Sequence, residues 1–164
     1  MMDSDIDLKL FDLLLTDVAS EDLHSGVSTA LGSEYLIVAT EEQSRAREVV
    51  GIIWGLHNRL FVPLVVRRRD SYKKVHFLVD TGAPRTYLSK EVLTSFGIST
   101  DNITSSTTIA ITINAINIAV TMSPTDGHFS DINLLGVDFL DVSKSLLVAD
   151  YFEKKCRLTI RPDF

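Results

Sequence analysis

Between residues 109 and 122 the apolar positions change parity. Ile109, Ile111 and Ile113 alternate with small or polar residues, then Ile116, Ile118, Val120 and Met122 alternate on the opposite parity. Successive side chains of a strand point to opposite faces, so one continuous strand would split these two sets between its two sides. A reversal near 114–117 puts both sets on one buried face of a hairpin. Further β-branched and aromatic runs lie at 60–66 and 75–79, joined by the polar turn Arg67-Arg68-Arg69-Asp70-Ser71. Pro63 suits a strand edge or a strand start. A last hairpin is expected from 146–151 and 156–160, and 90–96 reads as one short helix stopped at Gly97. The body is expected to be mainly β.

The preceding residues have a different period. Ser4 is placed to cap a helix whose stripe is Ile6, Leu10, Phe11, Leu14 and Val18, with Asp5 and Asp7 near the positive end of its dipole. The small and polar stretch 20–33, with Gly26 and Gly32, is expected to break it. Thr40 and Gln43 have capping-box spacing for a second helix, with Ala46, Val49, Val50, Ile53 and Trp54 as its inner face. Residues 35–39 between them read as a short strand or an extended linker. The expected organisation is a helical extension over 1–58 and a β domain over 59–164.

At 164 residues, 45% hydrophobic, the chain suits one compact domain with an appendage and is not a disordered composition. No run is long and apolar enough for a membrane span, and no secretory pattern opens the chain, so an intracellular, cytoplasmic protein with no membrane partner is expected. The net charge of −6 is uneven. Residues 1–44 carry ten acids against Lys9 alone, −9, while residues 45–164 carry 15 bases and 12 acids, +3. The basic cluster Arg67, Arg68, Arg69, Lys73 and Lys74 reads as a solvated turn, with Tyr72 its one aromatic, and no nucleic-acid partner is expected. A single cysteine excludes an internal disulfide, and Cys156 reads as a packed strand residue. The four histidines show no zinc-ligand spacing, and Asp126, His128 and Asp131 read as a polar loop, so neither metal nor cofactor is expected.

One segment carries chemistry: Phe77-Leu78-Val79-Asp80-Thr81-Gly82-Ala83. An apolar strand delivers a carboxylate to its end, and the small residues that follow let another backbone approach closely. Hydrolysing an amide without a metal or a nucleophilic side chain takes two carboxyls sharing a proton. The ionised one accepts a proton from water while its protonated neighbour polarises the scissile carbonyl. The chain holds one such segment, so the pair would come from two identical chains about a two-fold axis.

Asp80-Thr81-Gly82-Ala83 with Thr86 resembles the signature of retropepsins, the retroviral and retrotransposon aspartic proteases, which DNA-damage-inducible cellular relatives share. Asn133-Leu134-Leu135-Gly136-Val137-Asp138-Phe139-Leu140 resembles the family's apolar-apolar-glycine segment and its short helix. The resemblance covers roughly 60–164. It implies a closed-barrel acid-protease half that works as a homodimer on extended polypeptide, with Asp80 as the catalytic aspartate. It further implies that the Thr81 hydroxyl bonds across the dimer, that Gly82 and Ala83 shape the active loop with Thr86, and that Leu134, Leu135 and Gly136 pack beneath it. Family members close over substrate with a glycine-rich hairpin flap. Here the strands of 109–122 match those following the flap, which leaves only 99–108 for it, with no glycine between Gly97 and Gly127. A shortened flap favours the alternative, a non-catalytic dimerisation or peptide-binding module on the same fold.

Overall fold

The computed structural model describes residues 17–126 and 129–161. Nine strands among them form one sheet: β1 (Glu48–Trp54), β2 (Arg59–Arg68), β3 (Ser71–Val79), β4 (Tyr87–Leu88), β5 (Ile109–Ile113), β6 (Ile116–Met122), β7 (Leu134–Leu135), β8 (Leu146–Asp150) and β9 (Lys155–Thr159). The lateral order is β3-β7-β4-β6-β5-β2-β1-β9-β8, and β3 also pairs with β2. That extra pairing closes β2, β3, β7, β4, β6 and β5 into a six-strand barrel. It is mixed: β3–β7 and β4–β6 are parallel and the other pairs antiparallel. β1, β9 and β8 continue the sheet outward from β2 as antiparallel strands.

The β5–β6 hairpin turns at Asn114 and Ala115, with φ of 43° and 63°, the left-handed pair that a tight two-residue hairpin turn requires. Ile111, Ile113, Ile116 and Val120 are then buried together, as the parity change predicts. Asn114 is itself buried. Its Oδ1 accepts from Val65 N at 2.7 Å and its Nδ2 donates to Ala46 O at 2.9 Å, so a polar turn residue is satisfied inside the sheet. The β2–β3 hairpin runs further than expected, from Arg59 to Val79, around the two-residue turn Arg69-Asp70. Pro63 lies mid-strand, but between the stretches of β2 that pair with β1 and with β5, where one edge of the strand has no ladder to donate to.

The region before β1 departs from the sequence expectation in two places. The predicted helix stripe to Val18 falls mostly on residues outside those described. Residues 20–33, expected to break a helix, form α1 (Ser20–His24) and α2 (Gly26–Leu31), ending at Gly32 in the left-handed conformation (φ 65°). The polar composition hid an i,i+4 pair, Leu23 and Val27, which is fully buried. The second correction concerns 46–54. The Thr40–Gln43 capping box forms, with Gln43 N donating to Thr40 Oγ1 and Thr40 N to Gln43 Oε1. The helix it starts, α3, spans only Glu41–Ser44. Val49, Val50, Ile53 and Trp54 belong to strand β1, with Val49 and Ile53 inward and Val50 exposed. A β-branched run at period two outweighs the cap. At Gly51 any Cβ would strike the Phe61 carbonyl of the neighbouring strand, so a close backbone approach fixes that residue.

After a left-handed Leu36 (φ 66°), residues 37–39 run along the first half of β3, with Leu36 N on Lys74 O, Lys74 N on Ile37 O and Ala39 N on Tyr72 O. They cover an edge that would otherwise offer unpaired amides. Val18, Leu23, Val27 and Tyr35 share one hydrophobic core with the barrel residues Phe61, Leu64, Phe77, Leu135 and Phe139. The division expected at 58/59 therefore falls inside the β1–β2 connection of a continuous sheet. Two further helices, α4 (Lys90–Ser95) and α5 (Val137–Val142), follow β4 and β7. α4 is capped by Ser89 Oγ, which accepts from Val92 N, and stops at Gly97 (φ 75°), close to the expected bounds. β8 and β9 form the closing hairpin.

Candidate active site

The site is built where β7 slots between β3 and β4. Leu134 and Leu135 pair in parallel with Leu78 and Val79, and Leu134 also faces Tyr87 across an antiparallel contact. The loop from Asp80 to Thr86 connects the two strands on either side of β7, so it must cross over the end of that strand. Asp80 N donates to Leu135 O at 3.0 Å, extending the β3–β7 pairing by one residue, and Val137 N donates to Ala83 O at 2.9 Å. These two bonds staple the loop at both shoulders.

Gly136 lies directly beneath the loop. A Cβ there would collide with the Arg85 carbonyl and come within 2.9 Å of Ala83 O, so the Leu-Leu-Gly order is a steric requirement of this crossing. Thr86 is fully buried. Its Oγ1 donates to Asp138 Oδ1 at 2.7 Å and accepts from Gly136 N at 3.1 Å, while its own N donates to Asp138 Oδ2 at 3.2 Å. One hydroxyl thus ties the far end of the loop both to the strand end and to the first turn of α5. The carboxylate of Asp138 also accepts from Phe139 N at 2.7 Å, near the positive end of that short helix.

On the outer side of the loop the geometry is open. Asp80 is partly exposed and Thr81 and Gly82 are exposed, while Ala83 packs inward. Asp80 Oδ1 accepts from Gly82 N at 2.9 Å. A Cβ at Gly82 would press on that oxygen at 3.2 Å, so glycine leaves the carboxylate free on its outward side. Among the described residues no second carboxylate meets Asp80, and the Thr81 hydroxyl has no partner. The chain on its own presents one ordered carboxylate at the mouth of a barrel.

The structure brings Asp80, Thr81, Gly82, Ala83 and Thr86 together with Leu134, Leu135 and Gly136. Sequence reasoning assigned no role to Asp138 or Asn133. Asn133 is fully buried before β7: its Oδ1 accepts from Ser89 N at 2.8 Å and its Nδ2 donates to His76 O and to Tyr35 Oη at 3.1 and 2.7 Å. The signal available was an amide and a carboxylate flanking a buried apolar-glycine core, where an unsatisfied polar group is costly.

Behind β3, Asn133 connects to a buried network. His76, four residues before Asp80, is fully buried. Its Nε2 lies 3.0 Å from Ser33 O and 3.1 Å from Ser28 Oγ, while Nδ1 has no hydrogen-bond partner. Burial lowers its pKa to about 4, against a smaller upward pull from the Ser33 carbonyl. Burial likewise raises Tyr35 to about 12. Cys156, packed between β1 and β2, has its thiol raised by burial to about 11, which makes it a poor nucleophile.

Residues 99–108 contain no strand and are largely exposed, so they build no hairpin over the loop. Among the described residues no three His, Cys, Asp or Glu side chains converge as a metal site, and no helix is long and apolar enough to cross a membrane. His128 of the Asp126–Asp131 loop lies outside the described residues.

No family model matches the chain, and no curated protein matches it. Among solved structures the chain is similar to a retropepsin-like aspartic protease from Rickettsia conorii. The two share 23% identity over 69% of this chain and 90% of that one, with a TM-score of 0.49.

Proposed function

We propose that the protein is an aspartic endopeptidase that acts as a homodimer, each chain supplying Asp80 to a shared dyad. The observation that carries this is the stapled loop. A small-residue loop crosses a buried strand end, is bonded at both shoulders, and holds one carboxylate at its open side with no second acid beside it among the described residues. A single aspartate so placed meets no partner acid among the described residues of its own chain. Two such loops meeting about a two-fold axis supply both halves of an acid–base pair.

In that dimer one carboxylate accepts a proton from a water held between the two. The protonated partner donates a hydrogen bond to the scissile carbonyl, so the oxygen nucleophile adds while charge on the carbonyl oxygen is relieved. Collapse of the tetrahedral adduct breaks the C–N bond as a proton passes to the amine. The reaction needs one carboxyl of the pair protonated and the other ionised at the same moment. The exposed Thr81 hydroxyl is free to bond the partner loop and hold the carboxyls coplanar. Substrate lies extended across the cleft, as a strand.

A specific observation favours a second function. With 99–108 lacking a hairpin, no flap hairpin covers the loop among the described residues, and catalysis gains from excluding water. A dimeric peptide-binding module on the same scaffold fits that feature. Incubating wild type and Asp80→Asn with an unstructured peptide library separates the two. Cleavage by wild type alone supports the protease, and equal binding by both without any cleavage supports the module.

A further inference from the structure

Beside the β2–β3 turn, a surface groove of about 620 Å³ is lined by Arg67, Arg68 and Arg69 together with residues of the β5–β6 hairpin. Its remaining lining is mixed: Ala110 faces Ala119, Ile111 faces Ile118 and Thr112 faces Asn117 across the hairpin. Arg67 pairs with Thr112 on one side and Tyr72 on the other, so Tyr72, Arg67, Thr112 and Asn117 form one row across four strands. β3 runs from this turn to Asp80, roughly 30 Å of strand at ~3.3 Å per residue, so the arginines lie far from that carboxylate, while on β6 the groove ends at Ala119, two residues before Thr121, whose N–H donates to Thr86 O.

Its charge is uncompensated. Among the described residues none of the three arginines forms an ion pair, and Asp70 in the same turn pairs with none of them. Two of the three are nonetheless held in place. The Arg67 guanidinium sits 5.2 Å over the Tyr72 ring and its Nε donates to Arg69 O at 2.7 Å, while Arg68 Nη1 donates to Phe96 O at 3.2 Å. Arg69 has φ of 56° at the first position of a two-residue turn, a place that favours glycine. The chain carries a cation there at a conformational cost. A solvated turn explains exposed arginines but not three of one sign gathered around a groove, two of them oriented by backbone and ring contacts.

We propose that this groove binds an acidic, extended polypeptide segment. Guanidinium forks match carboxylates in geometry and charge, the alanine pairs leave room for a strand to lie on the sheet, and Thr112 and Asn117 offer hydrogen bonds to its backbone. A nucleic acid fits less well. The Tyr72 ring, the aromatic beside the cluster, is covered by Arg67 and gives no open stacking surface for a base.

The site stands independently of cleavage at Asp80, and it is tested in full-length Asp80→Asn protein so that no peptide is consumed. A labelled ~12-residue Asp/Glu-rich peptide, its Asn/Gln counterpart and an oligothymidylate of equal charge are compared by fluorescence anisotropy at about 50 and about 300 mM NaCl. The acidic peptide is expected to bind, to bind more weakly at the higher salt, and to lose ~tenfold or more in affinity in R67Q/R69Q. The variant's thermal midpoint reports that the fold is intact, and R45Q, at an exposed arginine paired with Glu41, should bind as the parent does. Equal binding of acidic and neutral peptides, undiminished binding in folded R67Q/R69Q, or tighter binding of the oligothymidylate overturns the proposal.

Discussion

Thr86 and Asp138, 52 residues apart, are joined by two hydrogen bonds, hydroxyl to Oδ1 at 2.7 Å and backbone N–H to Oδ2 at 3.2 Å. The same hydroxyl receives the Gly136 N–H, so a single oxygen fixes where the loop bearing Asp80 ends. Thr86→Val keeps the volume but leaves the buried Gly136 N–H unpaired and removes a charge-assisted bond from Asp138. We expect a loss of about 2–3 kcal/mol in urea unfolding. If the loop serves catalysis, peptide cleavage should fall by ~tenfold or more as the carboxylate loses its position. Thr86→Ser, which keeps the hydroxyl, should restore most of both, and equal damage by Ser and Val would refute this role.

Gly136 gives a steric prediction. Its backbone is in an ordinary extended conformation (φ −89°), so an added methyl group costs nothing in torsion and acts only through its collision with the Arg85 carbonyl. Gly136→Ala should cost about 1–3 kcal/mol and displace the loop. Gly32, where a Cβ would meet nothing within 4 Å but φ is 65°, isolates the opposite effect. Gly32→Ala should cost about 1 kcal/mol and leave any cleavage activity unchanged. Denaturation midpoints and turnover measured side by side distinguish the two.

His76 makes stability depend on pH in a calculable direction. Its folded pKa of about 4 lies below the ordinary value of 6.5, so between those values the unfolded chain binds a proton that the folded chain does not. Stability is therefore fully present above pH 6.5 and declines as the pH falls toward 4, by on the order of 3 kcal/mol. An aspartic dyad is favoured by acid over part of the same range, so the acid side of an activity profile should follow unfolding rather than chemistry. Urea unfolding at a series of pH values checks this. His76→Gln should flatten the dependence across this window, and an unchanged slope would show that other groups carry it.

How much of this was legible in the sequence depends on the range of the interactions involved. The β5–β6 hairpin was readable because parity and turn act within a few residues, and Asn114 and Ala115 stand where the apolar alternation reverses. The Thr40–Gln43 cap was readable for the same reason. The extent of its helix was not, because Val49 to Trp54 is decided by strand pairing, with Phe61 on the next strand and with Leu158 far along the chain. Leu23 and Val27 were masked by the serines and threonines around them. The two-residue strands β4 and β7 have no period at all, so the insertion of β7 between β3 and β4 could be anticipated only from resemblance to a known segment. Apart from the Phe139 N–H beside Asp138, Asp138 and Asn133 act on partners 44 to 98 residues distant, and composition gives no indication of such bonds.

Sharing of one proton between two Asp80 side chains is tested most directly by mixing subunits. Wild type is combined with an equal amount of Asp80→Asn chain under conditions of full exchange, and cleavage is measured per wild-type chain. If each site needs both aspartates, mixed dimers are inactive and activity per wild-type chain falls to about half, continuing toward zero with excess variant. Activity per wild-type chain that stays constant at every mixing ratio would mean that each chain works alone, and would contradict a shared dyad.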